Sequence, residues 1–166
     1  MMLALARYLE VLALGVWLGG MVVFSFVVAP TLFQVLPSRH LAGDVVAVAL
    51  SRLYALSYIC GAAYLLGLFL EQVGPHSRRP WSAVALEIGI VAALLLIVLY
   101  SDYFLSARMV TLRAEMKALF GSIDQTAVEH PLRVAFHRYH RASVGLMTGT
   151  MVGVLVLLGL ALRRWR

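Results

Sequence analysis

Two histidines one helical turn apart have the clearest capacity for chemistry in this sequence. His137 and His140 stand at an i, i+3 spacing, which puts both imidazoles near one face of a helix. Because imidazole ligates transition metals, the pair is a weak candidate for holding one metal ion or one anion. Together with Tyr54 and Ser143 it forms a candidate polar or ligand site. The alternative is a hydrated basic surface at a membrane interface.

Four charged residues fall within or beside long apolar segments. Arg52 and Asp102 lie at similar depth on neighbouring antiparallel segments, which predicts a direct or water-bridged pair that holds two helices together. The same two residues are candidates to line the histidine site. Glu10 and Glu87 lie near the opposite surface, and we expect them to be interfacial carboxylates that reach water.

The remaining chemistry-bearing residues suggest no cofactor. Bis-histidine haem needs histidines on two helices, and the first three apolar segments hold none. Met147 and Met151 are more typical of core packing than of a copper site, and Cys60 has no cysteine partner. No catalytic residues are predicted, so we expect a protein that is not an enzyme. We also expect it to bind lipid. Haem or a metal remains open.

The composition requires a membrane to position these residues. The chain has 166 residues, of which 62% are hydrophobic and 13% charged, and its mean hydropathy is +0.89. Four segments are long enough to cross a bilayer as helices, at about 8–29, 45–70, 81–105 and 142–162. Pro30 is expected to end the first helix and Asp44 to cap the second. The prediction is one all-α domain, an integral membrane four-helix bundle over residues 1–166.

Helices 3 and 4 are predicted to extend beyond the bilayer as a hairpin, residues 106–141. Apolar residues recur at helical spacing in two stripes, Met109/Leu112/Met116/Leu119 and Leu132/Phe136/Tyr139. Basic side chains would then face solvent and attract a partner or anionic lipid: Arg108, Arg113, Lys117, Arg133, Arg138 and Arg141. The alternative is two interfacial segments lying flat on the lipid.

Small residues spaced four apart predict close helix contacts. The sets are Gly145, Gly149 and Gly153 on helix 4, Gly15 and Gly19 on helix 1, and Ala85 and Gly89 on helix 3. Two interpretations stay open for them: packing within the bundle, or a seam for a second copy or another membrane subunit.

The distribution of charge bears on location and partners. The basic residues divide nearly equally between the side of the termini and the side of loops 1 and 3, and those on the side of the termini lie closest to span ends. We therefore expect cytoplasmic termini in a bacterial inner membrane. The net charge of +6 suits an anionic membrane surface. No soluble domain offers a face for nucleic acid.

Two motifs resemble a known family. The first is Val16-Trp17-Leu18-Gly19-Gly20 with Phe24, Val28-Ala29-Pro30 and Phe33, and the second is Phe136-x-x-Tyr139-His140-x-x-Ser143. They are similar to motifs of the domain of unknown function 4149 family, the transmembrane-protein-205-like proteins. The resemblance implies a four-helical fold without an established activity and points to Trp17, Pro30 and His140 as a shared site. Links to metal or drug resistance have been proposed for relatives.

Three functional hypotheses follow from these observations. The leading one is a non-enzymatic accessory or scaffold subunit of a membrane complex. The second is a small-solute or metal-handling protein with a polar site on the side of loops 1 and 3. The third is a haem- or quinone-linked redox protein.

Overall fold

The chain folds into four long helices, seen in a computed structural model that describes residues 2–74 and 79–164. Helix α1 comprises Met2–Val23, a π-helical turn Phe24–Val28 and Ala29–Val35. Helix α2 is Arg39–Val73. Helix α3 comprises Trp81–Tyr100, a second π-helical turn Ser101–Ser106 and Ala107–Phe120, and α4 is Pro131–Arg163. All four are long and apolar enough to cross a membrane, which confirms the all-α prediction.

The bundle core contains side chains from all four helices. Trp17 of α1 and Tyr64 of α2 are both 0% exposed. They belong to one apolar cluster with Val91 of α3 and Val154 of α4. Most other apolar side chains face outward, as lipid-facing residues do in a bundle whose surrounding solvent is hydrocarbon.

Pro30 does not end the first helix, so that prediction was wrong. Ala29 donates its backbone N–H to the Phe24 carbonyl, a bond one residue longer than in an α-helix. This π-helical turn restarts the α-helix just before Pro30. The missing proline N–H then falls in the first turn, where no helical acceptor is required.

The start of α2 also differs from the prediction. Ser38 is the N-cap, and its hydroxyl accepts a hydrogen bond from the Leu41 N–H at 3.1 Å. Asp44 lies inside the helix, where it pairs with Arg113 at 3.4 Å. The capping role predicted for Asp44 was therefore wrong.

The hairpin is helical, with its own small core. Leu112 and Met116 are buried with Ile123, and the α4 stripe Leu132/Phe136/Tyr139 packs against them. Gly121, at φ +84°, ends α3 in a conformation that favours glycine. Two predictions for this hairpin were wrong. Leu119 is 67% exposed, and Arg113 is only 7% exposed instead of facing solvent.

Candidate functional site

A large cavity lies on the side of loops 1 and 3, between α1, α2 and the hairpin. Its volume is about 590 Å³, which is within the range of small-molecule sites. One part of its wall is apolar and includes Leu50 of α2 and Met147 and Met151 of α4. Another part holds charged and polar side chains, so the cavity is amphipathic.

The polar part of the cavity contains three of the predicted site residues. His137, His140 and Ser143 all line it, together with basic residues that the sequence placed on the outside of the hairpin. The His140 ring stacks on Phe136, with centroids 6.2 Å apart and planes at 4°. Tyr54 does not line this cavity but a neighbouring one of about 10 Å³, the size of one water, and its hydroxyl interacts with Ser143 and Ser106, which line the large cavity.

Arginines give the polar part its charge. Arg113 lies against α2 because the glycine at position 43 leaves room: a Cβ there would collide with the Arg113 guanidinium. Arg133 projects from α4 and donates to the Thr126 carbonyl. Arg39, at the start of α2, completes the set, and Asp124 supplies a carboxylate that accepts from the His40 backbone N–H at 3.3 Å.

Both π-helical turns border this cavity. Phe24, Ser25 and Phe26 line it from the turn in α1, and Ser106 lines it from the turn in α3. Because a π-helical turn holds one extra residue, it widens a helix locally and re-aims its side chains. The chain thus shapes the cavity with two local departures from α-helical geometry.

The direct ion pair predicted between Arg52 and Asp102 is absent, and the water-bridged alternative stays a prediction. No ion pair within 4.0 Å joins them among the described residues, and Asp102 instead accepts a hydrogen bond from Tyr58 at 3.2 Å. Arg52 is exposed on its helix. Six residues separate Arg52 from Tyr58, which turns the arginine about 120° away at 3.6 residues per turn. Neither charge lines the histidine cavity.

A second polar cluster lies at the opposite end of the bundle, where the sequence predicted only interfacial carboxylates. Glu10 of α1 is 1% exposed, and Glu87 of α3 is also buried, so the expectation that they reach water was wrong. Glu71 of α2 is buried beside them. A Cβ on Gly67 would lie 3.1 Å from the Ala6 carbonyl, so the glycine lets α1 approach α2 at this end.

Arginines neutralise these carboxylates, and we name the whole group the glutamate–arginine cluster. Arg164, just after α4, lies 2.6 Å from Glu10 and 2.7 Å from Glu71. Further pairs join Arg7 to Glu71 at 2.8 Å, and Arg79 to both Glu71 and Glu87. Tyr64 donates to Glu87 at 2.7 Å. The cluster connects all four helices.

The charge state of Arg164 follows from these neighbours. Burial lowers the pKa of its guanidinium, but the carboxylates of Glu10, Glu87 and Glu71 more than offset this and hold the pKa above its usual value. A guanidinium is charged at any physiological pH even without such help. Arg164 is therefore a permanent counter-ion, and the cluster is a mutually neutralised structural site.

The sequence contains a signal for this cluster. Glu10, Glu71 and Glu87 lie near the same membrane surface as Arg7, Arg79 and Arg164, so enough arginines to pair all three carboxylates are available at one end. Buried charges are tolerated when paired. Matching charges by depth, rather than pair by pair, would have predicted the cluster.

The predicted glycine packing is mostly absent inside the bundle. A Cβ on Gly153 would lie 2.6 Å from the Leu94 side chain, so this glycine does sit at a close contact. By contrast, a Cβ would meet nothing within 4 Å at Gly15, Gly19, Gly89, Gly145 or Gly149, and Ala85 is exposed. These residues lie on the outer faces of α1, α3 and α4.

Metal ligands are sparse around the histidine pair. Among the residues that the structure describes, no group of three or more His, Cys, Asp or Glu side chains could hold a metal ion. Of the residues expected to form a shared site, Pro30 and His140 line the large cavity. Trp17 lies in the bundle core instead.

Comparison with known proteins assigns the chain to a family. The model of a family described as Domain of unknown function (DUF4149) matches residues 12–118, more than half of the chain. The match contains the motif around Trp17 and Pro30, and the second motif lies beyond it. No curated protein and no solved structure matches.

Proposed function

Since the chain belongs to the DUF4149 family, whose activity is unknown, we propose from its own geometry that it is a non-enzymatic membrane protein that binds a lipid-like amphiphile. The observation that carries this proposal is the cavity of about 590 Å³ with an apolar part and a cationic part. A molecule with one polar end and one apolar end would complement both.

The dimensions of the cavity support this class of ligand. Along α4 its lining runs from Arg133 to Met151, which spans about 27 Å at 1.5 Å per residue. This distance suits an extended chain with a headgroup better than a compact solute. The polar residues are on the hairpin side, and the methionines are further along α4, toward its membrane-spanning part.

The cavity also has an apolar rim through which lipid could enter sideways. Phe26 and Phe33 of α1 and Val144 of α4 line the cavity and are also exposed on the outer surface of the bundle. Residues of this kind at a cavity mouth favour an opening toward hydrocarbon. A ligand could therefore enter from the bilayer without crossing water.

Blocking the cavity tests the proposal. Ala47 of α2 lines the cavity, whereas Ala55 of the same helix is exposed and does not. Delipidated protein would be incubated with equal amounts of dioleoyl-phosphatidylglycerol and dioleoyl-phosphatidylcholine, and bound lipid counted by native mass spectrometry. We expect Ala47→Trp to lose the lipid that wild type and Ala55→Trp retain. Equal retention by all three proteins would refute the proposal.

A second candidate function is that of an accessory or scaffold subunit. The observation in its favour is that Gly145 and Gly149 lie on an open face of α4, where another helix could approach closely. Native mass spectrometry in mild detergent distinguishes the two candidates. A protein complex whose dissociation leaves lipid binding intact would support the subunit role.

A further inference from the structure

We infer that the cavity recognises the phosphate of an anionic phospholipid headgroup through Arg113 and Arg133. The inference rests on the proposed lipid binding and names the chemical class of the ligand. Its first support is charge. The described lining residues include Arg39, Arg113 and Arg133 but a single carboxylate, that of Asp124. Cationic ligands are disfavoured by this excess of positive charge, and anionic ones are attracted.

Arg113 and Arg133 have N–H donors without a hydrogen-bond partner among the described residues. Arg113 is 7% exposed, yet its ion-pairing contact is one nitrogen 3.4 Å from Asp44, and its Nε has no hydrogen-bond partner among the described residues. Arg133 likewise donates through Nη1 to Thr126 while its Nε lacks a partner in the part of the chain described. A guanidinium has five N–H donors, and the contacts named here occupy few of those on Arg113 and Arg133. Both side chains line the cavity, so their remaining charge favours an anion there.

Further hydrogen-bond donors surround the same part of the cavity. The imidazoles of His137 and His140 and the hydroxyl of Ser143 are each able to donate one hydrogen bond without bringing a permanent charge. Phosphate presents oxygens in several directions and matches the planar fork of arginine. A carboxylate has only two oxygens, so this spread of donors on α3 and α4 favours phosphate.

The position of these donors favours a lipid source for the phosphate. The arginines and histidines belong to the hairpin side of the cavity, and the apolar wall continues from them along α4 to Met151. A phosphate bound by the arginines would thus place its attached acyl chains beside Leu50, Met147 and Met151. Free phosphate would leave that apolar wall uncovered.

The test compares two lipids that share the phosphodiester and the acyl chains, and in which the phosphate charge is either left unbalanced beside glycerol or offset by a cationic choline. Dioleoyl-phosphatidylglycerol and dioleoyl-phosphatidylcholine would be titrated separately onto delipidated protein in detergent, with binding followed by native mass spectrometry. We expect wild type to bind the anionic lipid about tenfold more tightly, as one charge-assisted contact allows. Arg133→Gln and Arg113→Gln should each remove most of that preference. Arg138→Gln, an exposed arginine outside the cavity lining, is the matched control.

Folding and lipid binding are separated by further variants. Arg113→Lys keeps the charge but not the planar fork and should retain part of the preference, and thermal unfolding would verify that each variant is folded. If wild type binds both lipids equally, or if Arg113→Gln and Arg133→Gln bind the anionic lipid as tightly as wild type, while Ala47→Trp loses both lipids, recognition of an anionic headgroup through these arginines is wrong and the proposed function stands. If inorganic phosphate competes as strongly as the anionic lipid, the lipid source is wrong. If Ala47→Trp loses neither lipid, the proposed function fails.

Discussion

Individual charges decide how the two ends of this bundle differ. At the end near the termini, Glu10, Glu71 and Glu87 are paired with three arginines, and the charges cancel. At the other end, Arg113 and Arg133 are only partly compensated. Paired charges stabilise structure, whereas uncompensated donors beside a cavity favour ligand binding. The first end is therefore structural and the second is where we place function.

We predict that Arg164→Gln strongly destabilises the protein. Its removal leaves Glu10 buried without its nearest guanidinium, and breaking a buried pair costs about 3–5 kcal/mol. Thermal unfolding in detergent would measure this, with Arg163→Gln as an exposed control. The double variant Glu10→Gln/Arg164→Gln should regain part of the loss. Equal midpoints for Arg164→Gln and Arg163→Gln would contradict a structural role.

At the scale of elements, the hairpin is a packed unit that carries cavity residues. Its core of Leu112, Met116 and Ile123 holds the end of α3 against the start of α4. Arg113 follows Leu112 directly, so the packing that buries the leucine also directs the arginine toward α2. The stability of the hairpin and the geometry of the cavity are consequently linked.

We predict that Leu112→Ala loosens the hairpin and Leu119→Ala does not. Leu112 is 1% exposed, and truncating a buried leucine costs about 2–5 kcal/mol. The exposed Leu119 should change stability by less than about 0.5 kcal/mol. Hydrogen–deuterium exchange of residues 107–143 would report the difference. Similar exchange in both variants would indicate that the two helices are not packed as described.

For the whole molecule, the helices have inner faces that contact other helices of the chain and outer faces that are open to other molecules. Gly153 faces Leu94 of α3, while Gly149, one turn earlier on α4, faces open space. The same spacing of small residues thus serves two purposes on one helix. The open face around Gly149 is available to a partner helix or to lipid.

We predict opposite results for leucine at these two glycines. Gly153→Leu should lower thermal stability in detergent, because it forces extra volume against buried Leu94 at a cost of about 1–3 kcal/mol. Gly149→Leu should leave the stability of the monomer unchanged and dissociate any oligomer that uses this face. Native mass spectrometry would detect that dissociation. Equal destabilisation of the monomer by both substitutions would show that the Gly149 face is packed.

The sequence by itself determined the architecture, because burial in hydrocarbon imposes helices of a minimum length. Four apolar segments led directly to four helices, and the hairpin stripe correctly placed Leu112, Met116 and Phe136. The family could also be recognised from the sequence, because its first motif lies in one continuous stretch. Local periodicity and local motifs are properties that a single sequence contains.

Tertiary structure decided which polar residues meet. Arg52 and Asp102 were expected at similar depth, but Arg52 is turned about 120° away from Tyr58, the residue that donates to Asp102. The charge of Arg113 predicts a surface position, but Gly43 of α2 leaves room for its guanidinium inside the fold. The π-helical turn before Pro30 changes the register of α1, and no local rule predicts it. The candidate site therefore depends on rotation, register and close approach between helices, which are set by the packed bundle as a whole.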